Sequence, residues 1–180
     1  EMVTEVRKTI DTPLVFMTYA NVVFHYGIEE FCARAAEAGM DGLILPDVPF
    51  EEKEEFAGAC RSHGMDLISM IAPTSEERID MIASQTEGFV YCVSSLGVTG
   101  TRSSITTDLD SIVARIRKAT GTPVAIGFGI SNPEQAAAMA AKSDGAIVGS
   151  AIVKIVAAEG EAATPAVGEF ARKMVAAVRA

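Results

Sequence analysis

Apolar positions in this chain fall into two alternating spacings. Continuous apolar, β-rich runs begin near Leu14, Leu43, Leu67, Phe89, Val124 and Ala146. Between them hydrophobic residues recur at i, i+3, i+4 and i+7, as in Ile28, Phe31, Cys32 and Ala35, in Phe56, Ala59, Cys60 and His63, and in Leu109, Ile112, Val113 and Ile116. The first pattern predicts strands buried on both faces, as in a parallel sheet, and the second predicts amphipathic helices. Gly39, Gly64 and Gly121 follow the helical runs, where a left-handed cap is expected. Two joints nearly copy each other: Gly39-Met-Asp-Gly-Leu-Ile-Leu-Pro and Gly64-Met-Asp-Leu-Ile-Ser-Met-Ile-Ala-Pro.

Successive strand onsets are 29, 24, 22, 35 and 22 residues apart, by subtraction of the positions above. That rhythm predicts an α/β fold of the TIM (β/α)8 type, incomplete, with about six βα units corresponding to strands 3 to 8. The rival doubly wound sheet carries a glycine-rich turn after its first strand. Here Tyr19-Ala20-Asn21 follows the first strand, and the glycines cluster after the last two. Residues 1–180 are read as a single domain, the C-terminal two-thirds of a barrel. Glu1 to Thr9 reads as an outer helix without a strand of its own, so the chain is expected to be a fragment. Open sheet edges would then favour self-association.

Composition narrows the function. The net charge of −9 and the absence of a basic cluster argue against nucleic acid and anionic membrane surfaces. Apolar stretches are too short to span a bilayer, so a cytoplasmic protein is expected. Cys32, Cys60 and Cys92 form no CxxC pair and read as small buried hydrophobes, not as a disulfide framework. His25 and His63 have no neighbours at ligand spacing, so no metal site is expected. No cofactor is expected either.

The most specific chemistry lies near the C-terminus. Val124-Ala-Ile126 runs into Gly127-Phe-Gly129-Ile-Ser131, and Ala146-Ile-Val148 into Gly149-Ser150-Ala-Ile-Val-Lys154. Loops after the last two strands of such barrels bind phosphate, because glycines admit the anion to the backbone and a helix start presents its N–H groups. Ser150 is expected to add a hydroxyl while capping its helix. The plainer reading is two tight turns. Ser131-Asn132-Pro133-Glu134 reads only as a helix start. The polar stretch from Ser94 to Ser104 is long for a βα connection and is a candidate lid.

Together, Met17-Thr-Tyr-Ala-Asn21, Pro46-Asp-Val-Pro49, Tyr91 before Gly97-Val-Thr-Gly100, Gly127-Phe-Gly-Ile-Ser131 and Gly149-Ser-Ala-Ile-Val-Lys154 closely resemble the α subunits of tryptophan synthase, in order along nearly the whole chain. The resemblance implies a lyase that splits indole-3-glycerol phosphate by retro-aldol chemistry and hands indole to a pyridoxal-phosphate β subunit. By resemblance, Thr99, Gly100, Phe128, Gly129, Gly149 and Ser150 hold substrate and its phosphate. Met17, Ile44 and Tyr91 line the indole pocket, and Asn21, Asp47 and Pro49 face the β subunit. Read without the family, Asp47 is a cap in a Pro-flanked turn and Tyr91 is core. The family's catalytic Glu and Asp belong to a region absent from these residues, so no acid–base role is assigned and the chain alone is expected to be inactive. Lys142 and Lys154 read as solvated helix residues, which removes a Schiff-base route. The alternatives are another phosphate-binding barrel isomerase and a non-catalytic module that binds phosphate or a partner.

Overall fold

The computed structural model describes residues 1–74, 76–94, 108–127 and 129–180. In chain order its elements are α1 (Met2–Val6), β1 (Val15–Met17), α2 (Ala20–Tyr26), α3 (Ile28–Ala38), β2 (Gly42–Ile44), α4 (Glu54–Ser62), β3 (Asp66–Leu67), β4 (Met70–Ile71), α5 (Glu76–Ala83), β5 (Val90–Val93), α6 (Leu109–Ala119), β6 (Val124–Gly127), α7 (Pro133–Ala140), β7 (Gly145–Ile147), α8 (Ser150–Glu159) and α9 (Ala163–Val178). All six expected strand onsets are occupied. The run near Leu67 is interrupted, and gives two short strands where one was expected.

Two compact units result. The first comprises Glu1–Met70 with Gln85–Gly88. Its parallel sheet has the order β1-β2-β3, with Val15 opposite Gly42 and Met17 opposite Ile44. Every residue of β2 is buried, as a central strand covered on both faces requires, whereas β1 is only half buried. Helices α3 and α4 cover this sheet through Cys32, Ala35, Phe56 and Cys60, which cluster with Val23, Leu43, Leu45 and Met65. The helical period identifies Phe56 and Cys60 as inward. It misses Ala57, which is buried, and it overextends to His63, which lies past the end of α4.

The second unit comprises Ile71–Ser84 with Phe89–Ala180. Its sheet has the order β4-β5-β6-β7, beginning at the unit boundary. Strand β5 is buried throughout and pairs in parallel with β6, and β6 with β7. Helix α6 buries Leu109, Ile112, Val113 and Ile116, the four positions its period marks. Asp108 caps it by accepting the Ser111 N–H at 3.2 Å.

The two units begin their strands with the same clasp. In the first, the Asp41 carboxylate accepts the Leu14 N–H at 2.7 Å while the Asp41 N–H donates to Leu14 C=O at 2.8 Å. Arg7, just past α1, pairs with that carboxylate and donates to Gly39 C=O and Thr12 C=O, each at 2.6 Å. In the second, the Asp144 carboxylate accepts the Val124 N–H at 2.8 Å, its own N–H donates to Val124 C=O at 2.8 Å, and Arg117 of α6 approaches at 3.2 Å. Each Arg stands seven residues before the strand residue held by the aspartate (7 to 14, 117 to 124).

Helix ends depart from expectation in three places. Gly39 and Gly64 adopt positive φ as expected, but Thr120 ends α6 in an extended conformation, so Gly121 is not its left-handed cap. Gly149, not Ser150, occupies the cap position of α8, without a side-chain cap bond. Lys142 lies beyond α7 and pairs with Asp110, so it is neither helical nor merely solvated. No helix among the described residues is long and apolar enough to cross a membrane.

Candidate functional site

Site residues of the first unit sit where β1 and β2 end. Met17 and Ile44 are register partners on adjacent strands. Ile44 is buried, but Met17 is 53% exposed. Directly beyond β1 the chain turns into α2, which carries Asn21 in its first turn. The Asp47 carboxylate reaches the start of that helix and accepts the Ala20 N–H through both oxygens, at 3.0 and 3.1 Å. A helix leaves its first amides without intrahelical partners, so a carboxylate there satisfies an orphan donor and offsets the positive end of the helix dipole. The sequence reading of Asp47 as a cap of its own turn is thereby corrected: it caps a helix 27 residues upstream. Pro49 precedes a short 3-10 turn at Phe50–Glu52.

The second unit brings its glycines together on neighbouring strands. Gly127 ends β6, opposite Ile147 at the end of β7. Gly149 lies two residues past Ile147 and leads into α8. Gly129 adopts φ 81°, and Ile130 after it is buried. Asn132 then caps α7 by accepting the Gln135 N–H at 2.8 Å, with Pro133 in the first position, as the sequence indicates. Helix α8 therefore opens from a glycine at a strand end; the Ile152 N–H donates to Gly149 C=O at 2.9 Å, which leaves the Ser150 and Ala151 amides as the first N–H groups of the helix. Thr99, Gly100 and Phe128, and most of the candidate lid, lie outside the described residues.

Tyr91 lies in β5, one strand from β6, and is 6% exposed. Its ring occupies the space where a side chain at Gly127 would stand: a Cβ there would be 2.6 Å from the ring carbons. Gly127 is thus required by packing. Burial raises the Tyr91 hydroxyl above its ordinary pKa, so it stays protonated and available as a donor at neutral pH. Among the described residues no group of three His, Cys, Asp or Glu side chains is placed to hold a metal ion.

A family model described as tryptophan synthase alpha chain matches residues 1–179. The chain belongs to the tryptophan synthase alpha chain family. Relatives include the tryptophan synthase alpha chain of Lacticaseibacillus casei, 44% identical over all of this chain and 68% of its own length. That of Lactiplantibacillus plantarum is 49% identical over 97% of this chain and 66% of its own. The chain thus spans about two thirds of the length of these relatives. Among solved structures, the tryptophan synthase alpha chain of Legionella pneumophila superposes with TM-score 0.84 at 34% identity, over 99% of this chain and 67% of that one. A tryptophan synthase a2b2 complex from Pyrococcus furiosus contains a chain matched with TM-score 0.83 at 32% identity, over 97% of this chain and 70% of that one. The expected α/β fold, part of a (β/α)8 barrel, holds.

The clasps built on Asp41 and Asp144 escaped the sequence reading. Their signal was present as a repeated Asp-Gly at 41–42 and 144–145, each preceding an apolar strand. Nothing in either pair alone says that the carboxylate turns back to the preceding strand.

Proposed function

We propose that this chain carries the substrate-gripping part of an α-subunit-type lyase of tryptophan biosynthesis, acting on indole-3-glycerol phosphate. The observation that carries the reading is the pair of glycine turns at the ends of adjacent strands β6 and β7, one of them opening α8 at Gly149. The phosphate of the substrate is held by the Ser150 and Ala151 amides at the start of α8 and by the Ser150 hydroxyl, with Gly129 leaving room for it. The resemblance to the family further assigns Thr99, Gly100 and Phe128 to the grip, and Met17, Ile44 and Tyr91 to the indole.

In the retro-aldol step a base removes the proton of the glycerol hydroxyl next to the ring. The carbon–carbon bond to indole breaks, the aldehyde of glyceraldehyde 3-phosphate forms, and an acid delivers a proton to the ring carbon. The family's two carboxylates for this chemistry are not among residues 1–180. Asp47 is not a substitute, because one carboxylate cannot serve both proton transfers, and it already accepts the Ala20 N–H at the start of α2. The 180-residue polypeptide alone is therefore expected to bind phosphate without turnover.

Asn21, Asp47 and Pro49 are proposed to meet a β subunit that receives the indole. Support for a partner comes from the relative described as an a2b2 complex. Indole release from indole-3-glycerol phosphate, measured with and without an added β subunit, tests the reading. Release at background from the 180-residue chain, and its appearance when the chain is extended at its N-terminal side with the matching region of a relative, is the expected result. Robust turnover by the chain alone would refute the assignment of the proton chemistry elsewhere. A folded extended protein without activity would refute the lyase reading.

A further inference from the structure

Cys32 in α3 and Cys60 in α4 are both fully buried in the core of the first unit, and their sulfurs stand 3.8 Å apart. Both are free thiols. A second contact fixes the same register about one turn away, between the start of α3 and the residue just past α4. Glu29, three residues before Cys32, is 2.9 Å from the ring of His63, three residues after Cys60. The Ser62 hydroxyl also donates to Glu29 at 3.4 Å. Closing the sulfurs from 3.8 Å to the roughly 2.05 Å of a disulfide is a small adjustment for two side chains already facing each other.

We propose that Cys32 and Cys60 form a latent dithiol, a modification site that a peroxide-class oxidant converts to a disulfide locking α3 to α4. In that step one thiolate attacks a peroxide oxygen, giving a sulfenic acid and, after proton uptake, one water. The second sulfur attacks the sulfenic sulfur and a second water leaves. Two thiols lose two electrons and two protons, and hydrogen peroxide becomes two waters. The closed state restrains this reaction. Burial pushes the Cys60 thiol up to about 12 and raises Cys32 as well, so little thiolate exists while the helices are packed. Oxidation therefore reports local opening of α3 or α4, and the bond, once made, opposes it.

The third cysteine supplies an internal control. Cys92 lies in β5 of the other unit, 32 residues after Cys60, whereas Cys32 lies 28 before it. In a structureless chain the two loops close with nearly equal ease, within about 1.2-fold. The experiment treats the 180-residue chain with hydrogen peroxide at the lowest urea concentration at which maleimide labels Cys32. After quenching, intact mass and peptide mapping identify the bonds. The expected result is loss of two hydrogens, one remaining alkylatable thiol at Cys92, and a Cys32–Cys60 link at least tenfold over Cys60–Cys92. Cys60→Ser should abolish the link and Cys92→Ser should leave it intact. The oxidised protein should melt roughly 5–10 °C higher. Comparable amounts of the two links, or continued alkylation of all three cysteines, would overturn the proposal. A lowered melting temperature would overturn the lock.

Discussion

The two units start from the same device and put it to different use. Each clamps the onset of one strand to the aspartate that opens the next, with an arginine from the preceding segment on the carboxylate. In the first unit the paired strand β2 lies between two others, and Arg7 is tightly held, its side chain 19% exposed. In the second the clasped strand β7 is the last of its sheet, and the Arg117 side chain is 49% exposed. The far ends of the strands diverge further. Asp47 in the first unit reaches the start of α2, while in the second α8 begins at Ser150 directly after Gly149, with no side-chain cap bond. A carboxylate closes one helix start, whereas glycine leads the other without a side-chain cap. Identical strand-onset chemistry thus supports a carboxylate-capped helix start in one unit and a glycine-led one in the other.

The sharpest way to break this parallel is at the glycine that follows each clasp aspartate. A Cβ at Gly42 would lie 2.8 Å from the backbone oxygen of Asp66 on the neighbouring strand, which cannot move without disturbing the sheet. A Cβ at Gly145 meets nothing closer than the Ala125 Cβ at 3.9 Å. Gly42→Ala is expected to cost about 2–3 kcal/mol in urea unfolding. Gly145→Ala should change stability by no more than about 0.5 kcal/mol. Equal losses would show that sheet position is not what separates the two glycines.

Next in size are the clasps themselves. Asp41→Ala strands the Leu14 N–H and the well-covered Arg7, and is expected to cost about 2 kcal/mol. Asp144→Ala, facing a half-exposed arginine that water can solvate, should cost about 1 kcal/mol. Reversal of that order in denaturation experiments would contradict the inequality of the two clasps. The cap contrast is smaller again. Asp47→Ala removes the acceptor at the start of α2 and should lose about 1 kcal/mol, whereas Asp47→Asn should retain most of it. Phosphate binding at α8, followed by titration calorimetry, is expected to be unchanged in both variants.

The smallest effect distinguishes the units by pH. Burial, joined by the charges of Glu87 and Asp41, raises Asp66 of the first unit above its usual 3.8. Its ionised form therefore costs stability at neutral pH, and the cost disappears as pH falls below 3.8, where folded and unfolded chains both hold the proton. Asp80 of the second unit has the opposite sign. The Arg115 hydrogen bond lowers its pKa, so its contribution is present above 3.8 and is lost as pH falls through the lowered value. Asp66→Asn is expected to raise the unfolding free energy from urea titration slightly at pH 7, by no more than about 0.5 kcal/mol, and to have no effect below pH 3.8. A loss of stability at pH 7 would mean that the carboxylate makes a favourable contact outweighing its burial.

Much of this was legible in the residues. The spacing of apolar runs located six of the seven strands among the described residues, missing only the break between β3 and β4, and the 3.6-residue period marked the buried face of α6 at all four positions. The glycine turns after β6 and β7, and the Asn132-Pro133 start of α7, could be read because local backbone geometry dictates those residue types. Three things could not be read, and each depends on what lies across from a residue. Asp47 was recognisable as a cap, but the helix it caps begins 27 residues earlier, and only the pairing of β1 with β2 brings them together. Gly127 looked like a turn residue, yet the Tyr91 ring on the adjacent strand is what leaves it no room for a side chain. Cys32 and Cys60 were each correctly read as buried, but their 3.8 Å approach follows from how α3 lies against α4. Periodicity and turn chemistry are properties of a few consecutive residues, so the sequence alone determined the elements, the inward faces and the family motifs. Which carboxylate meets which helix, which ring fills which gap and which thiols face each other are properties of contacts between distant segments, and only the tertiary structure decided them.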